Sequence, residues 1–337
     1  MTMLSRRLFI AAALISGLGP VTSVRAQQTV TVALDWTPNT NHVGLYVAQA
    51  KGSYAEAGLD VQILPYSDTA AGTLIANRVA DIGILGSIGL FTQRTAGADL
   101  VATYAIMQTE TGRLVFNADR ADIQSPRDLD GLTYGGFGSA WENALIGTII
   151  RHDGGEGKFE TVTLGTSAYE TLANGAVDFT LEVYTWEGIK AELGGKAQRA
   201  FRYADYGVPD QHTNFIGSSR AYLEKNKDTA TGFIAATRRG YAFAVEHPQE
   251  AADILIAANS DVLTDRPLIE ASLKALVDGY YLQSPTGAIG TIDPAKMEAI
   301  GDYLFKAGAL RDSDGNLIGE RLDFAAYYSN AYIAGEK

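Results

Sequence analysis

The stretch 35–42 carries the side chains of this chain that are best suited to binding chemistry. It reads DWTPNTNH and lies between an apolar run at 29–34 and a second apolar run at 43–48. An indole stacks on a flat partner, while amides and an imidazole donate and accept hydrogen bonds. Pro38 prevents the preceding strand from simply continuing, because it lacks a backbone donor. The pattern predicts a loop that is mounted between a strand and a helix.

Two interpretations of this loop are open. Loops at the carboxyl ends of strands hold the ligands of open α/β sheets, which favours a binding role. Alternatively, the Asn and Thr side chains only satisfy a turn and the start of the next helix. We favour ligand binding, because Trp36 is costly to expose without a partner on which it can stack.

The first 26 residues have the composition of an export signal. Two arginines precede an apolar run at 8–18, and Val24 and Ala26 occupy the positions that a signal peptidase reads, with cleavage after Ala26. The run SRRLFI resembles a twin-arginine signal, and a general secretion signal is the alternative. The apolar run is too short for a membrane anchor. We therefore expect a periplasmic protein without stable membrane insertion after signal removal.

The composition excludes several classes of site and partner. The chain has no Cys, which excludes disulfides, thiolate metal sites and a lipidated cysteine anchor. Its formal charge of −12 becomes −15 without the three arginines of 1–26, which disfavours nucleic acid and anionic membranes as partners. His152, His212 and His247 show no ligand spacing, so no metal is expected, and no cofactor is indicated.

Short β-rich runs and helical patterns alternate twice along the chain, which predicts an α/β fold built from parallel β-α-β units. The strands of the first series are predicted at 29–34, 60–65, 81–85 and 100–106, with a helix at 69–78. Those of the second series are predicted at 132–134, 161–164 and 178–181, with helices at 140–152 and 168–174. From 221 onward the pattern is almost wholly helical, and Pro248 and Pro267 mark helix starts.

This order predicts two similar lobes that are connected by two chain crossovers, with the ligand in the hinged cleft between them. The length after signal removal, about 310 residues, exceeds one comfortable core. Polar loop residues accumulate at 117–126 and 214–220, where we place the crossings. Lobe 1 is then predicted to comprise 27–117 and 220–337, and lobe 2 to comprise 118–219.

Four stretches of the chain, at 35–48, 77–83, 135–142 and 184–188, resemble one known family. They are similar to the thiamine-pyrimidine family. That family contains periplasmic ABC transporter substrate-binding proteins for formyl-aminopyrimidine and hydroxymethylpyrimidine, as well as hydroxymethylpyrimidine phosphate synthases. The resemblance covers most of the first two-thirds of the mature chain, and 35–48 is its most specific part. It implies the two-lobe periplasmic binding protein fold of type II.

The resemblance also implies a ligand and a set of contacts. An aminopyrimidine is flat and neutral, and it requires aromatic faces together with a few polar groups in its plane. A carboxylate would contribute much of the discrimination, because charge-assisted hydrogen bonds are about twice as strong as neutral ones. By resemblance, the ligand-binding residues are Trp36, Asn39, His42, Tyr184 and Glu187, with Glu142 and Tyr169 as further candidates.

Structural alternatives exist for several of these residues. Glu187 lies where a helix is expected to begin, so it can instead complement the positive end of that helix. Trp141 is expected to pack with Leu145 and Ile149 on one helical stripe. The glycines of 135–138 either cradle an anion at the first amides of the next helix or form a plain tight turn.

The family's synthases provide a test for catalysis. By resemblance, a synthase holds pyridoxal phosphate on a Lys shortly after the Asp-x-Gly strand and consumes a His four residues later. Leu85 and Gly89 stand at these positions, and neither can form a Schiff base or supply an imidazole. The synthases also carry a cysteine cluster, which this chain lacks. We therefore expect no enzyme activity.

The expected function is that of a solute-binding protein, which closes on its ligand and is recognised by an ABC permease that works with its ATPase. A thiamine-precursor pyrimidine is the first candidate ligand. Riboflavin or another vitamin heterocycle is the alternative, which cleft volume would discriminate. A sensor that presents a bound metabolite to a receptor is the alternative from another class.

Overall fold

A computed structural model describes residues 27–333 of the chain. The predicted export signal at 1–26 and its cleavage site lie outside the described residues. Within 27–333 the strands, in chain order, are β1 (Gln28–Ala33), β2 (Leu59–Ile63), β3 (Ile82–Gly86), β4 (Leu100–Ala105), β5 (Gly112–Asn117), β6 (Thr133–Gly136), β7 (Glu160–Thr163), β8 (Thr180–Val183), β9 (Gln198–Arg202) and β10 (Asn214–Ser219).

The α-helices of the same residues lie between these strands and after the last of them. They are α1 (Val43–Ala50), α2 (Ser53–Glu56), α3 (Ala71–Ala76), α4 (Ser87–Thr95), α5 (Ala140–His152), α6 (Ala168–Ala173), α7 (Ile189–Leu193), α8 (Arg220–Lys225), α9 (Lys227–Glu246), α10 (Pro248–Ala258), α11 (Arg266–Asp278) and α12 (Pro294–Lys306). Within 27–333, none of them combines the length and apolarity that crossing a bilayer requires.

The first sheet has the strand order β2-β1-β3-β10-β4. β1 runs parallel to β2 and β3, and β10 lies antiparallel between β3 and β4. β3 and β4 are apolar and buried along nearly their whole length, as expected for strands that are covered on both faces. Helices α1, α9, α10 and α11 pack on one face, and α3, α4 and α12 pack on the other.

The second lobe repeats this order of strands. β5 lies antiparallel between β8 and β9, and β6 pairs in parallel with β7. A parallel bridge between Tyr134 and Phe179 places β6 beside the start of β8, so the combined order is β7-β6-β8-β5-β9. In each sheet the fourth strand, β10 or β5, runs antiparallel to both of its neighbours. The predicted pair of similar α/β lobes is confirmed.

Strands β5 and β10 belong to the sheets of the lobes opposite to those that the sequence predicts. β5 falls inside predicted lobe 1 (27–117) but pairs with β8 and β9, whereas β10 falls inside predicted lobe 2 (118–219) but pairs with β3 and β4. The polar residues at 117–126 form a turn after β5 rather than a crossing. We propose that the chain crosses between the lobes within 106–111 and 203–213.

One lysine of α12 joins both of these segments. Nζ of Lys296 donates to the carbonyl oxygen of Gln108 at 2.6 Å and to Oδ2 of Asp210 at 2.6 Å. Asp210 in turn accepts the backbone N–H of Glu110 at 2.9 Å. Helix α12 is therefore bonded to both of the proposed crossing segments.

The predicted helical return after residue 221 is confirmed for α8 to α12. Pro248 is the first residue of α10, and Pro267 lies in the first turn of α11, as predicted from their sequence positions. The segment 307–333 departs from the prediction, because it is irregular and contains only short 3-10 turns. Phe324 nevertheless anchors it in the core below the first sheet.

Candidate ligand-binding site

The loop 35–42 begins after β1 and leads through a 3-10 turn (Thr40–His42) into α1. Asn39 caps this turn, because its Oδ1 accepts the backbone N–H of Asn41 at 2.9 Å. Its Nδ2 donates to the carbonyl oxygen of Thr37 at 3.0 Å. The capping interpretation of Asn39 is thus confirmed, and the loop that it stabilises holds its neighbours at the carboxyl end of β1.

The buried His42 and the half-buried Asp35 form the base of the loop. His42 is fully buried, its Nε2 lies 2.9 Å from Oδ1 of Asp35, and its Nδ1 accepts the backbone N–H of Asn39 at 3.3 Å. Nδ2 of Asn214 lies 3.4 Å from Oδ2 of Asp35. Burial opposes the ionisation of Asp35, but the hydrogen bonds from His42 and Asn214 hold its pKa below the ordinary value. Asp35 is therefore a carboxylate at neutral pH.

A cavity of about 250 Å³ opens above this loop and is lined by both lobes. The lobe 1 side consists of the loop, the end of β3 and the start of β10. These residues are Asp35, Trp36, Asn39, Asn41, Gly86, Thr213 and Asn214. The lobe 2 side is more apolar and aromatic. Its residues are Phe137, Tyr169, Leu181, Val183, Trp186 and Glu187.

This cavity brings together some of the residues that the sequence predicts as ligand contacts, but not others. Trp36, Asn39, Tyr169 and Glu187 line it, and they come from both lobes. The other three predicted residues, which are His42, Glu142 and Tyr184, are not among its lining residues. Both ring nitrogens of His42 are engaged by Asp35 and Asn39, so its role in the site is to position the loop.

A second chamber of about 500 Å³ adjoins the first cavity. The two share Trp36, Tyr169, Trp186 and Glu187, so these side chains form the boundary between them. The chamber extends along lobe 2 toward α7 and β9. Further residues of its lining include Thr166, Glu170, Glu182, Lys190, Lys196 and Gln198.

Trp186 and Glu187 are placed by a turn of π-helix, Tyr184–Gly188, that follows β8 directly. Such wide turns interrupt regular helix geometry and occur frequently at functional sites. Oε2 of Glu187 accepts the backbone N–H of Val183 at 3.3 Å, which agrees in part with a role at a helix start. Burial raises the pKa of Glu187 to about 7, so both protonation states are populated at neutral pH.

The ring of Tyr184 faces a cation rather than the cavity. The guanidinium carbon of Arg113 lies 4.2 Å from the centre of the ring. Arg113 also pairs with the buried carboxylate of Glu182. Tyr184 therefore belongs to a cation-π contact that fixes the start of the turn.

Glu142 occupies the glycine-rich turn before α5. It is fully buried and accepts hydrogen bonds from Tyr134 Oη at 2.7 Å, Phe137 N at 3.0 Å, Ser139 N at 2.6 Å and Ser139 Oγ at 2.7 Å. Gly138 reaches φ +74°, a left-handed conformation that favours glycine. Two amides of the glycine-rich turn are therefore satisfied by an internal carboxylate, which also places a negative charge beside the start of α5.

Several lining residues were not predicted as contacts. Asp35 lies in the loop that drew attention first, and Phe137 lies in the glycine-rich stretch, so both had a local signal. Phe137 is 45% exposed, which is high for a phenylalanine that faces a cavity. Asn214 had no such signal, because it comes from a strand that crosses from the other half of the chain.

The cavity provides acceptors and aromatic faces but no cation. Among the described residues that line it, two are carboxylic acids, Asp35 and Glu187, and none is Lys or Arg. Leu85 is buried in the core under the first sheet. The arrangement suits a flat ligand that is neutral or cationic and donates hydrogen bonds.

Sequence comparisons identify relatives that are named as binding proteins and relatives that are named as synthases. A profile described as "NMT1/THI5 like" matches residues 39–251. A formylaminopyrimidine-binding protein of Halalkalibacterium halodurans is 30% identical over 290 residues, which cover 83% of this chain and 85% of that protein. The 4-amino-5-hydroxymethyl-2-methylpyrimidine phosphate synthase of Legionella pneumophila is 22% identical over 250 residues, which cover 70% of this chain and 75% of the synthase.

Comparison with solved structures bears on the fold. The periplasmic aliphatic sulphonate binding protein SsuA of Escherichia coli superposes with a TM-score of 0.64 at 17% identity, over 89% of this chain and 91% of that one. This likeness confirms the predicted two-lobe fold of periplasmic binding proteins. The extent of the profile match and the identity to the formylaminopyrimidine-binding protein together show that the chain belongs to the NMT1/THI5-like family.

Proposed function

We propose that this protein is the periplasmic solute-binding component of an ABC importer and that its ligand is a thiamine-precursor pyrimidine. Formyl-aminopyrimidine and hydroxymethylpyrimidine are the two candidates. The observation that carries the proposal is the cavity between the lobes, which combines aromatic faces with two carboxylic acids and, among its described lining residues, no cation. The name of the relative from Halalkalibacterium halodurans supports the same ligand class.

The size and lining of the cavity fit a single aromatic ring. Its volume of about 250 Å³ lies just below the range of roughly 300–1,000 Å³ that is typical for drug-sized ligands. Trp36 on one lobe and Trp186 on the other offer flat surfaces. Phe137 and Tyr169 add aromatic area beside them. A substituted pyrimidine is smaller than a drug-sized ligand and offers two faces on which such rings stack.

The charges around the cavity favour the free alcohol or formamide over a phosphate ester. A phosphate would meet Asp35 and Glu187 with no Lys or Arg among the described lining residues to balance it. At the start of α5, which could otherwise attract an anion, the buried carboxylate of Glu142 bonds the amides of Phe137 and Ser139. The proposed ligand therefore carries no anionic group in this cavity.

Binding acts through closure of the two lobes. A ligand shifts an equilibrium between open and closed forms only by its differential affinity for the closed form. Trp36 and Asp35 lie on lobe 1 and Glu187 on lobe 2, so a bound ring would contact both. A membrane permease that acts with its ATPase then recognises the closed form.

A vitamin heterocycle larger than a pyrimidine, such as riboflavin, is the second candidate. The observation that favours it is the adjoining chamber of about 500 Å³, which shares Trp36 and Trp186 with the first cavity. A ligand with a ring head and a polar tail would occupy both spaces. The chamber's Lys190, Lys196 and Gln198 would then face that tail.

We propose no catalytic activity for the chain, although some relatives are named as synthases. Leu85 and Gly89 occupy the positions of the synthases' lysine and histidine, and the sequence has no Cys. A periplasmic location rests on the export signal that the sequence predicts at 1–26. A small heterocycle and a permease complex are accordingly its proposed partners.

A thermal-shift screen of the protein 27–337 tests this function. A ligand that binds only the folded state adds RT ln(1 + [L]/Kd) to the free energy of unfolding and therefore raises the melting midpoint. We expect a rise with formyl-aminopyrimidine or hydroxymethylpyrimidine and none with hydroxymethylpyrimidine phosphate. A rise with riboflavin alone would favour the second candidate. No shift with any pyrimidine or flavin would overturn both.

A further inference from the structure

Asn214 places a buried acceptor without a partner in the wall of the cavity. It is the first residue of β10 and is only 2% exposed, yet it lines the cavity beside Asp35. Its Nδ2 lies 3.4 Å from Oδ2 of Asp35, whereas its Oδ1 has no hydrogen-bond partner within residues 27–333. The neighbouring carboxylate fixes this orientation, because a flipped amide would turn its oxygen toward the negative charge.

Asn41 repeats the pattern on the loop. Its Oδ1 is buried and also lacks a hydrogen-bond partner within residues 27–333, and its side chain lines the same cavity. Its backbone is fixed at both ends, since its N–H donates to Asn39 at 2.9 Å and its carbonyl oxygen accepts from Tyr241 at 2.7 Å. Buried acceptors without partners cost free energy, which a ligand with N–H groups recovers on binding.

These acceptors lie on the same lobe as a fixed carboxylate. Asp35 is held by His42 and Asn214, and it faces the cavity between the loop and β10. The lobe 1 wall of the cavity therefore contains amide oxygens as well as a carboxylate. A primary amino group has two N–H donors, which suits two neighbouring acceptors, whereas an oxo group in the same place would bring oxygen against oxygen.

We propose that Asn214 determines specificity for an exocyclic amino group on the ligand ring. In this arrangement the amino group donates one hydrogen bond to Oδ1 of Asn214 and the other to the carboxylate of Asp35, and Asn41 supplies a further acceptor on the same edge. This inference rests on the proposed function, and it narrows the ligand class to amino heterocycles over their oxo or unsubstituted counterparts. Sites that are built to bond a polar group reject analogues without it strongly.

The test is a two-by-two titration. The unaltered protein and Asn214→Leu are each titrated with 4-amino-5-hydroxymethyl-2-methylpyrimidine and with 5-hydroxymethyl-2-methylpyrimidine, which lacks the amino group. We expect the unaltered protein to prefer the amino compound by at least ~100-fold, and Asn214→Leu to reduce this preference to below ~10-fold. Asn143→Ala, an exposed substitution on α5, is the matched control and should keep the full preference.

Each other outcome has a defined meaning. If Asn214→Leu weakens both compounds equally, Asn214 only positions Asp35, and the inference is wrong. If Asn214→Leu does not fold, the unaltered protein still decides, because it must bind the 4-oxo analogue at least ~100-fold more weakly than the amino compound. If the unaltered protein bound the amino compound and the 4-oxo analogue with similar affinity, this inference would be wrong while the proposed function would stand. If the unaltered protein binds no aminopyrimidine at all, the proposed function fails and this inference fails with it.

Discussion

Asp35 and Glu187 face one cavity from opposite lobes, but they lie in different surroundings. Asp35 accepts hydrogen bonds from the side chains of His42 and Asn214, which hold its pKa below the ordinary value against the effect of burial. Glu187 accepts the backbone N–H of Val183 at 3.3 Å, and burial raises its pKa to about 7. The first carboxyl is stabilised as a charge, and the second is desolvated.

This difference indicates how the two lobes divide recognition. Lobe 1 presents a constant acceptor edge, since the charge of Asp35 is fixed by a network that includes the loop itself. Lobe 2 presents an acid that either donates or accepts a hydrogen bond, because it is close to half-protonated at neutral pH. A ligand that bridges the lobes would meet one invariant edge and one adaptable edge.

The largest effect is expected from Asp35→Ala. The substitution leaves the buried Nε2 of His42 without its acceptor, and an unsatisfied buried group costs ~1–3 kcal/mol of folding stability. Ligand affinity should fall at least ~100-fold, because the charge of the acceptor edge is lost as well. Urea unfolding and fluorescence titration measure the two effects. Asp68→Ala, an exposed carboxylate on the surface, should change neither, and an unchanged affinity in Asp35→Ala would remove this edge from the site.

Trp36→Ala should weaken ligand binding at least ~10-fold, about 1.4 kcal/mol, because the ring loses a stacking face. Its effect on the melting midpoint should be small, since Trp36 is part of a cavity wall rather than of the core. Fluorescence quenching on binding should decrease with it. Trp141→Phe is the control and should retain the quenching, because Trp141 packs against the lobe 2 core. Full affinity in Trp36→Ala would exclude the indole as a contact.

Glu187→Gln should weaken binding at least ~10-fold at pH 8, about 1.4 kcal/mol, because a charge-assisted hydrogen bond from the ligand becomes a neutral one. At pH 5 the two proteins should differ less, since the carboxyl of Glu187 is then mostly neutral. Isothermal titration at both pH values measures the change. A loss of equal size at both would show that the protonation of Glu187 is not coupled to binding.

The same substitution should alter stability in the absence of ligand. A folded-state pKa of about 7, above the usual 4.5, adds stability that is present below about 4.5 and is lost as pH rises through about 7. Gln keeps the neutral form at every pH. Glu187→Gln should therefore melt closer to the unaltered protein at pH 5 than at pH 8, where it should melt higher by ~2–4 °C for each ~1 kcal/mol of relieved desolvation.

The quantity to compare is the difference in melting midpoint between the two proteins, because His212 gives stability a pH dependence of the opposite sign. Burial lowers the pKa of His212 from 6.5 to about 4, so its contribution to stability is lost as pH falls through that range. The contribution of His212 is the same in both proteins, so it cancels when their melting midpoints are subtracted. A constant difference between pH 5 and pH 8 would contradict the raised pKa of Glu187.

The smallest effect is expected from Tyr184→Leu. The ring of Tyr184 faces Arg113 and does not line the cavity, so affinity should change less than ~3-fold. Titration under the conditions used for Trp36→Ala measures it. A loss as large as that of Trp36→Ala would restore Tyr184 to the ligand contacts that the sequence predicts.

The fold was largely predictable because its parallel units have strong local signals. Helix α5 was predicted at its observed bounds, since its apolar stripe of Trp141, Leu145 and Ile149 is a local feature. β1 to β4 were predicted within one or two residues. β5 and β10 were not predicted as strands, and the predicted lobe bounds place their residues in the wrong lobes, because the sheet that such a strand joins is decided by tertiary contacts.

The candidate site was predictable in part for the same reason. Trp36, Asn39 and Glu187 lie in loops with unusual composition, and the structure places them around one cavity. The burial of His42 and Glu142 in hydrogen-bond networks could not be read from spacing, because their partners lie at the loop base and in the glycine-rich turn. Asn214 reaches the cavity from a strand almost 180 residues after the loop, so no local pattern indicates it.

One titration tests directly whether the cation-free cavity between the lobes binds an uncharged amino heterocycle. The protein 27–337 is titrated with 4-amino-5-hydroxymethyl-2-methylpyrimidine and with its phosphate ester at pH 8 by isothermal calorimetry. We expect the alcohol to bind at least ~100-fold more tightly than the ester, a difference of about 2.8 kcal/mol. Equal affinity for the two compounds, or tighter binding of the ester, would contradict it.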